Sequence, residues 1–223
     1  SVLYKVKGNI AKVAVKNGTK GIAENAVNNA AVTSVSLPTS LVSIGNNAFA
    51  GSGVKIVNIP NGVTSVGSGA FKDCKNLLIV SLSNSVKEIS TATFKGCSVL
   101  KKIAFPASVS VVSADAFADC KKLEVVEFGD VEEIEQYAFS GCSSLKVLNL
   151  PATLKEIAPK AFIGCKSLEN INVAAENKLF KSVDGVLLVA NETDDENAEP
   201  VFETIALYPV GRAGEYVVPA EVK

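Results

Sequence analysis

The sequence predicts a β-rich α/β solenoid in which short repeats stack along one axis, each adding short parallel strands and a single helical or 3₁₀ turn. The phrase Ala-Phe-x-x-Cys-x-x-Leu, with occasional substitutions, recurs along the 223-residue chain every 22 or 23 residues. A fixed short period of this kind is the signature of stacked units. A repeated two-residue alternation of apolar and polar side chains predicts one short strand per unit. The phenylalanines of the phrase are Phe49, Phe71, Phe94, Phe117, Phe139 and Phe162.

Each repeat contains two extended pieces and a turn. The segment Leu-x-x-Val-x-Leu suits a strand with one buried face, and in four repeats a proline follows and closes it. The segment Val-x-x-Ile is a second short extended piece. The stretch around Ala-Phe is rich in Gly, Asn, Ser and Asp, which predicts the helical or 3₁₀ turn. A unit this small buries its apolar residues only by stacking on its neighbours, so we expect the phenylalanines to form one core column.

The repeat predicts one continuous solenoid over residues 1–223. Residues 1–36 give a lead-in strand and a degenerate repeat, and residues 37–173 give six regular repeats. Residues 174–223 give a variant repeat with a hairpin and the start of a further repeat. Within the variant repeat, Asp184-Gly185 is a two-residue hairpin signal.

Composition excludes several classes of function. The formal net charge of -1 argues against a nucleic-acid partner, which requires a basic face. No apolar run approaches the roughly 18 residues that span a bilayer, so membrane association is expected only through parts outside this chain. The chain contains no histidine, which removes histidine-based acid–base catalysis and imidazole metal sites. No phosphate loop, nucleophile motif or metal constellation is visible, so we expect neither an enzyme nor a cofactor.

The repeat resembles a known family. The pattern Leu-Pro-x-x-Leu-x-x-Ile-x-x-x-Ala-Phe-x-x-Cys-x-x-Leu-x-x-Ile-x-Leu over residues 15–173 is similar to the BspA-type leucine-rich repeat, also called the Treponema pallidum type. The flanking segments 4–15, 177–188 and 207–219 also resemble parts of such proteins. The resemblance implies a right-handed leucine-rich-repeat solenoid that is secreted or displayed on the surface of a bacterium or sometimes a protozoan. It also implies adhesion or protein binding, with host extracellular matrix or another microbe as the partner.

The five cysteines occupy one slot of the repeat, three residues after the phenylalanine. The same slot holds Ser52 in the first unit and Ala30 in the degenerate copy, which favours a structural ladder of small side chains. Disulfides between neighbouring repeats are the alternative, because the strand spacing lies within disulfide range, although parallel side chains and an odd count oppose them. A metal site lacks the Cys-x-x-Cys spacing.

Other polar motifs have structural readings. The acidic run 191–197 lacks the ligand alternation of a calcium loop, so a solvated loop is favoured over a weak cation site. Two glycosylation sequons begin at Asn17 and Asn191, and both are interpreted as chance matches. Glu132 and Glu133 are adjacent on a strand and point to opposite faces, which opposes a catalytic carboxylate pair. Lys101 and Lys102 lie one repeat from Glu124 and Glu127 and predict an exposed ion pair that stabilises the stack.

Two outward columns on the predicted strands are the candidate binding surface. One column contains four exposed aliphatic side chains, and an apolar row beside polar ones is a candidate partner site. The competing interpretation is that β-branched residues simply favour strands on any face. The candidate contact residues are Ile56, Asn58, Ile79, Ser81, Lys102, Val125, Glu127, Val147 and Asn149.

The function predicted from these observations is binding of a protein or glycan by a monomeric, exported repeat protein through its strand face. The alternative is a structural spacer that holds another domain away from the cell wall without recognising anything. A hydrolase is a third reading, with no residue pattern to support it.

Overall fold

The computed structural model describes residues 1–191, 200–213 and 218. The chain winds into a β-solenoid of about seven coils. We number coils 1 to 6 by the phenylalanines from Phe49 to Phe162, and coil 0 is the degenerate repeat before them. The strands of the described residues are β1 (Val2–Leu3), β2 (Lys12–Ala14), β3 (Gly21–Ile22), β4 (Ser34–Ser36), β5 (Ser43–Ile44), β6 (Ile56–Asn58), β7 (Ser65–Val66), β8 (Ile79–Ser81), β9 (Glu88–Ile89), β10 (Lys102–Ala104), β11 (Val111–Val112), β12 (Val125–Glu127), β13 (Glu133–Ile134), β14 (Val147–Leu150), β15 (Glu156–Ile157), β16 (Asn170–Val173), β17 (Phe180–Val183), β18 (Val186–Val189) and β19 (Thr204–Leu207).

Two sides of the solenoid are made of parallel strands. The side that we call the strand face consists of the even-numbered strands β2 to β16, which are hydrogen-bonded in the pairs β2–β4, β6–β8, β10–β12 and β14–β16. The side that we call the second face consists of two four-stranded sheets, β1–β3–β5–β7 and β9–β11–β13–β15. Equivalent residues of successive coils are paired in register, as Ile56 with Ile79 and Lys102 with Val125. The prediction of short parallel strands is therefore confirmed.

The third side, which we call the turn side, contains the Ala-Phe segment of each coil. The expectation of a helical or 3₁₀ turn is not confirmed, because the described residues there form hydrogen-bonded turns and no helix. Alternate N–H groups leave the turn and donate to the next coil, as from Phe71 to the Thr93 carbonyl at 2.8 Å and from Phe117 to the Ala138 carbonyl at 2.7 Å. Left-handed residues two positions before and after the phenylalanine interrupt any helical run, as at Asp115 (φ 58°) and Asp119 (φ 59°).

The core is a column of phenylalanine rings. Successive rings from coil 1 to coil 6 lie with centroids 5.0 to 5.5 Å apart and with planes within 18° of parallel, an offset-stacked arrangement. The five rings from Phe49 to Phe139 are fully buried, and Phe162 is 4% exposed. The predicted core column is confirmed. Each ring contributes roughly 2–3 kcal/mol by its removal from water.

An antiparallel hairpin lies against the last coil. Strands β17 and β18 are joined by Asp184 and Gly185, both at positive φ, and β18 also pairs with β19. The predicted two-residue turn is confirmed. The side chain of Asn177 attaches the hairpin to the preceding coils, since its amide donates to three carbonyls, including that of Leu154 at 2.8 Å, and its oxygen accepts from the Phe180 N–H at 2.8 Å. The start of a further repeat after this hairpin and most of the acidic run 191–197 lie outside the described residues.

Candidate binding surface

The strand face presents two exposed columns, with the residues between them buried. Alternation along each three-residue strand sends the middle side chain inward, as at Val57 and Ile103, and the outer two toward solvent. The register of β6–β8, β10–β12 and β14–β16 keeps each column in line. All nine candidate residues are exposed and lie in these columns: Ile56, Ile79, Lys102, Val125 and Val147 in the first, and Asn58, Ser81, Glu127 and Asn149 in the second.

The first column forms an apolar ridge. Ile56 and Ile79 are 50% and 53% exposed, and Val125 and Val147 are 43% and 39% exposed. Lys102 lies between these two pairs, and its ammonium group forms an ion pair with Glu127 of the second column at 2.5 Å. The cation is thus directed sideways. Lys102 is paired in register with Val125, so its methylenes can extend the ridge.

A shallow groove adjoins the ridge on coils 2 and 3. It has a volume of about 440 Å³ and is lined by Leu78, Ile79, Val80, Lys101, Lys102 and Ala104. Leu78 is 49% exposed and widens the apolar surface beside Ile79. The predicted ion pair between coils is present as Lys102–Glu127. Both partners are more than half exposed, so the pair contributes at most about 1 kcal/mol to stability.

Asparagine side chains form a ladder on coils 5 and 6, with Asn149 and Asn172 in the second column and Asn170 in the first. The amide of Asn172 donates to the Asn149 oxygen at 2.8 Å, and the amide of Asn170 donates to the Asn172 oxygen at 2.8 Å. These bonds hold polar groups in fixed orientations at the surface. A hydroxyl-rich or peptide ligand offers groups that match them.

The cysteines form a buried ladder of free thiols. Each sulfur donates to the carbonyl of the phenylalanine one coil earlier, as from Cys97 to Phe71 at 3.2 Å and from Cys142 to Phe117 at 3.2 Å. Burial raises the pKa of the Cys74 thiol to about 11 and that of Cys165 to about 12. The protonated form that donates these bonds is therefore the stable one, which favours the structural ladder over disulfides.

The second face is acidic. Glu88, Glu133 and Glu156 follow one another in register, with Val111 between the first two. The pKa of Glu133 is raised, first by desolvation and then by the charges of Glu156, Glu135 and Glu88.

In the described part of the chain, no cluster of three or more His, Cys, Asp or Glu residues is arranged to hold a metal ion. Nor do the described ranges include a helical segment with the length and hydrophobicity that a membrane span requires.

Comparison with known families identifies the repeat. The family model for the BspA type leucine rich repeat region matches residues 2–124 and 125–183, in six copies. The chain belongs to the BspA-type leucine-rich repeat family. The resemblance stated from the sequence is thus confirmed. Proteins built on this repeat are generally non-enzymatic binding scaffolds. Among curated proteins, a sequence search gives no match.

Solved structures of bacterial leucine-rich repeat proteins share the fold. A leucine-rich cell surface protein from Faecalibacterium prausnitzii A2-165 superposes with a TM-score of 0.82 at 28% identity, over 98% of this chain and 60% of its own. A leucine-rich repeat protein from Bacteroides ovatus gives a TM-score of 0.56 at 25% identity, over 74% of this chain and 55% of its own. A leucine-rich repeat protein from Eubacterium ventriosum gives a TM-score of 0.66 at 24% identity, over 78% of this chain and 47% of its own. The chain therefore spans between about half and 60% of the length of these relatives.

Proposed function

We propose that this protein binds a protein or glycan outside the cell through the apolar ridge of its strand face. The observation that carries the proposal is the ridge itself, in which four aliphatic side chains between 39% and 53% exposed stand in one column. A row of exposed apolar side chains flanked by polar ones is a typical partner site. The coils hold this row in place before binding, so little conformational entropy is lost on association.

The extracellular location is part of the proposal. It is supported by the F. prausnitzii structure, which is described as a leucine-rich cell surface protein. That structure matches 98% of the present chain. Labelling of intact cells with an antibody against the repeats tests it. Signal only after the cells are permeabilised contradicts a surface location.

The test of the ridge uses the double variant Ile56→Asp, Val125→Asp. Binding is measured against arrays of host matrix proteins and glycans, and the affinity for any captured ligand is then determined by surface plasmon resonance. We expect at least a tenfold loss of affinity, because each carboxylate must be desolvated at the contact. The matched control is Val42→Asp, Ile163→Asp, which adds the same charge at residues 41% and 51% exposed away from the strand face.

Equal losses in the two double variants contradict the ridge as the contact. Absence of any ligand across the array favours the structural spacer instead. The inter-coil hydrogen bonds and ring stack that support a rigid binding surface suit a spacer equally well. Light scattering of the purified protein checks the expectation of a monomer.

A further inference from the structure

Lysines collect in the linking segments that join the turn side to the strand face. These segments follow the cysteine slot in each coil and cover residues 53–55, 75–78, 98–101, 121–124, 143–146 and 166–169. All seven of their lysines are exposed, and none forms an ion pair with a described residue. We call this set the lysine stripe: Lys55, Lys75, Lys101, Lys121, Lys122, Lys146 and Lys166.

The stripe is periodic. Lys55, Lys101 and Lys146 occupy the position just before the strand in coils 1, 3 and 5. Lys75, Lys121 and Lys166 occupy the position just after the cysteine in coils 2, 4 and 6. With a coil rise of about 4.8 Å, equivalent lysines recur about every 10 Å along the axis. Every coil from 1 to 6 thus presents at least one ammonium group on the same border.

The backbone holds the stripe in place. The carbonyls of Lys55, Lys101 and Lys146 each accept two N–H groups from the next coil, and the shorter bond of each pair is 2.8 Å long. Two carboxylates, Glu124 and Glu169, lie in the same segments, and Asp73 and Asp119 border them. The lysines therefore outnumber the acidic side chains, although the whole chain has a formal net charge of -1. The negative charge of the second face lies on a different side of the coil.

We propose that the lysine stripe binds a linear anionic glycan, one that bears sulfate or carboxylate groups at regular intervals. A periodic row of cations along the full stack matches an extended periodic polymer better than a compact protein. Lysine ammonium groups act as point charges and do not require the bidentate geometry of arginine. Four serines of the same segments, Ser98, Ser143, Ser144 and Ser167, are partly exposed and can bond to sugar hydroxyls. Glu124, Ser144, Lys146 and Ser167 line a groove of about 470 Å³ there.

The observations favour a glycan over a nucleic acid. The linking segments contain no aromatic side chain, whereas single-stranded nucleic acids are held by stacking of bases on aromatic rings. The carboxylates of Glu88, Glu133 and Glu156 disfavour a duplex that also contacts the second face. The inference does not depend on the ridge, because the ridge and the stripe consist of different residues.

The decisive variant is Lys75→Ser, Lys121→Ser, Lys166→Ser. Serine already stands in this slot at Ser98 and Ser143, so the coils accept it. The control is Lys20→Ser, Lys87→Ser, Lys178→Ser, which removes the same charge from exposed lysines outside the stripe. Affinity is measured by surface plasmon resonance on immobilised heparin and chondroitin sulfate at several salt concentrations. Surfaces that carry DNA or poly-glutamate are measured in parallel as polyanions that are not glycans.

We expect the stripe variant to lose at least tenfold in affinity for a sulfated glycan and the control less than twofold. The slope of log Kd against the logarithm of the salt concentration should decrease by roughly 2 to 3, because three ammonium groups are lost. Equal losses in both variants, or no binding of the wild-type protein to either glycan, overturn the proposal. Equal or tighter binding to DNA or poly-glutamate overturns the assignment to a glycan. Glycan binding that survives Ile56→Asp, Val125→Asp separates this site from the ridge.

Discussion

Phe117 lies between two parallel rings in the middle of the stack. Its centroid is 5.2 Å from those of Phe94 and Phe139, and Phe105 approaches it at 5.6 Å. Its substitution leaves a cavity with coils on both sides, and the coils cannot close it without losing register.

We expect Phe117→Ala to lower the free energy of unfolding by about 3–5 kcal/mol. Phe162→Ala should cost less, about 2–3 kcal/mol, because that ring is 4% exposed and stacks on Phe139 alone among the described rings. Urea denaturation followed by circular dichroism measures both values. Equal costs at the two positions contradict the column as the main source of core stability.

The buried thiols make the free energy of unfolding decrease at alkaline pH. Burial raises the pKa of all five above the ordinary value of 9.0, to about 11 for Cys74. From about pH 9 upward the unfolded chain loses thiol protons that the folded chain keeps, so stability is full below that pH and falls as the pH rises. Each thiol contributes a slope of about 1.4 kcal/mol per pH unit.

The double variant Cys97→Ser, Cys120→Ser isolates this effect. Serine fills the slot as Ser52 does in coil 1, and its hydroxyl does not titrate in this range. We expect its stability to fall between pH 9 and 11 with a slope smaller by roughly 2–3 kcal/mol per pH unit than that of the wild type. Lysine titration is common to both proteins and cancels. Identical slopes in urea titrations at these pH values contradict thiol burial as the cause.

At the scale of the single element, the turn side depends on left-handed backbone. Gly141 has φ 71°, and a β-carbon added there would lie 2.9 Å from the Asp119 carboxylate oxygen. We expect Gly141→Ala to cost about 1–2 kcal/mol, the penalty of a left-handed alanine. The converse change Asp119→Gly, at φ 59°, should stay within about 1 kcal/mol of the wild type. Thermal and urea unfolding compare the two variants, and a harmless Gly141→Ala contradicts the backbone requirement.

The strands were predictable from the sequence and the turns were not. Two-residue alternation and the constant period determine which side chains of β6, β8 and β12 face outward, so the columns follow from counting. The turn conformation, in contrast, is linked to hydrogen bonds with residues outside the segment. Alternate N–H groups of the turns donate to carbonyls of the next coil, as from Ala92 (φ 55°) to Ala114 at 2.9 Å, and the same left-handed backbone recurs at Tyr137 and Lys160, with φ of 62° and 66°. No local preference of alanine, tyrosine or lysine indicates this conformation.

The candidate surface was likewise only partly predictable. The ridge belongs to strands, where alternation separates exposed from buried residues. The lysine stripe belongs to linking segments without alternation, so periodicity within one coil does not single it out. Alignment of the coils on their cysteines would have revealed the lysines at 75, 121 and 166 in one slot.

At the scale of the whole molecule, each coil is stabilised only by its neighbours. The stability of such a stack is close to a sum of coil and interface contributions, so the ends open before the middle. We expect amide hydrogen exchange to be slowest in coils 2 to 5 and faster in coil 0. Phe117→Ala should raise exchange most in coils 3 to 5. Mass spectrometry of peptic fragments measures the exchange rate of each coil. A uniform increase in exchange along the chain contradicts a stack in which each coil is stabilised only by its neighbours.

The free thiols of the ladder carry a consequence for where such a protein can be made and used. Many exported proteins gain their final stability only after an oxidant has joined their cysteines. Here the sulfur atoms act as hydrogen-bond donors to phenylalanine carbonyls, which requires no electron transfer. The fold is therefore reached without oxygen or any disulfide-forming enzyme, and the oxidation state of the surroundings does not decide whether the coils assemble.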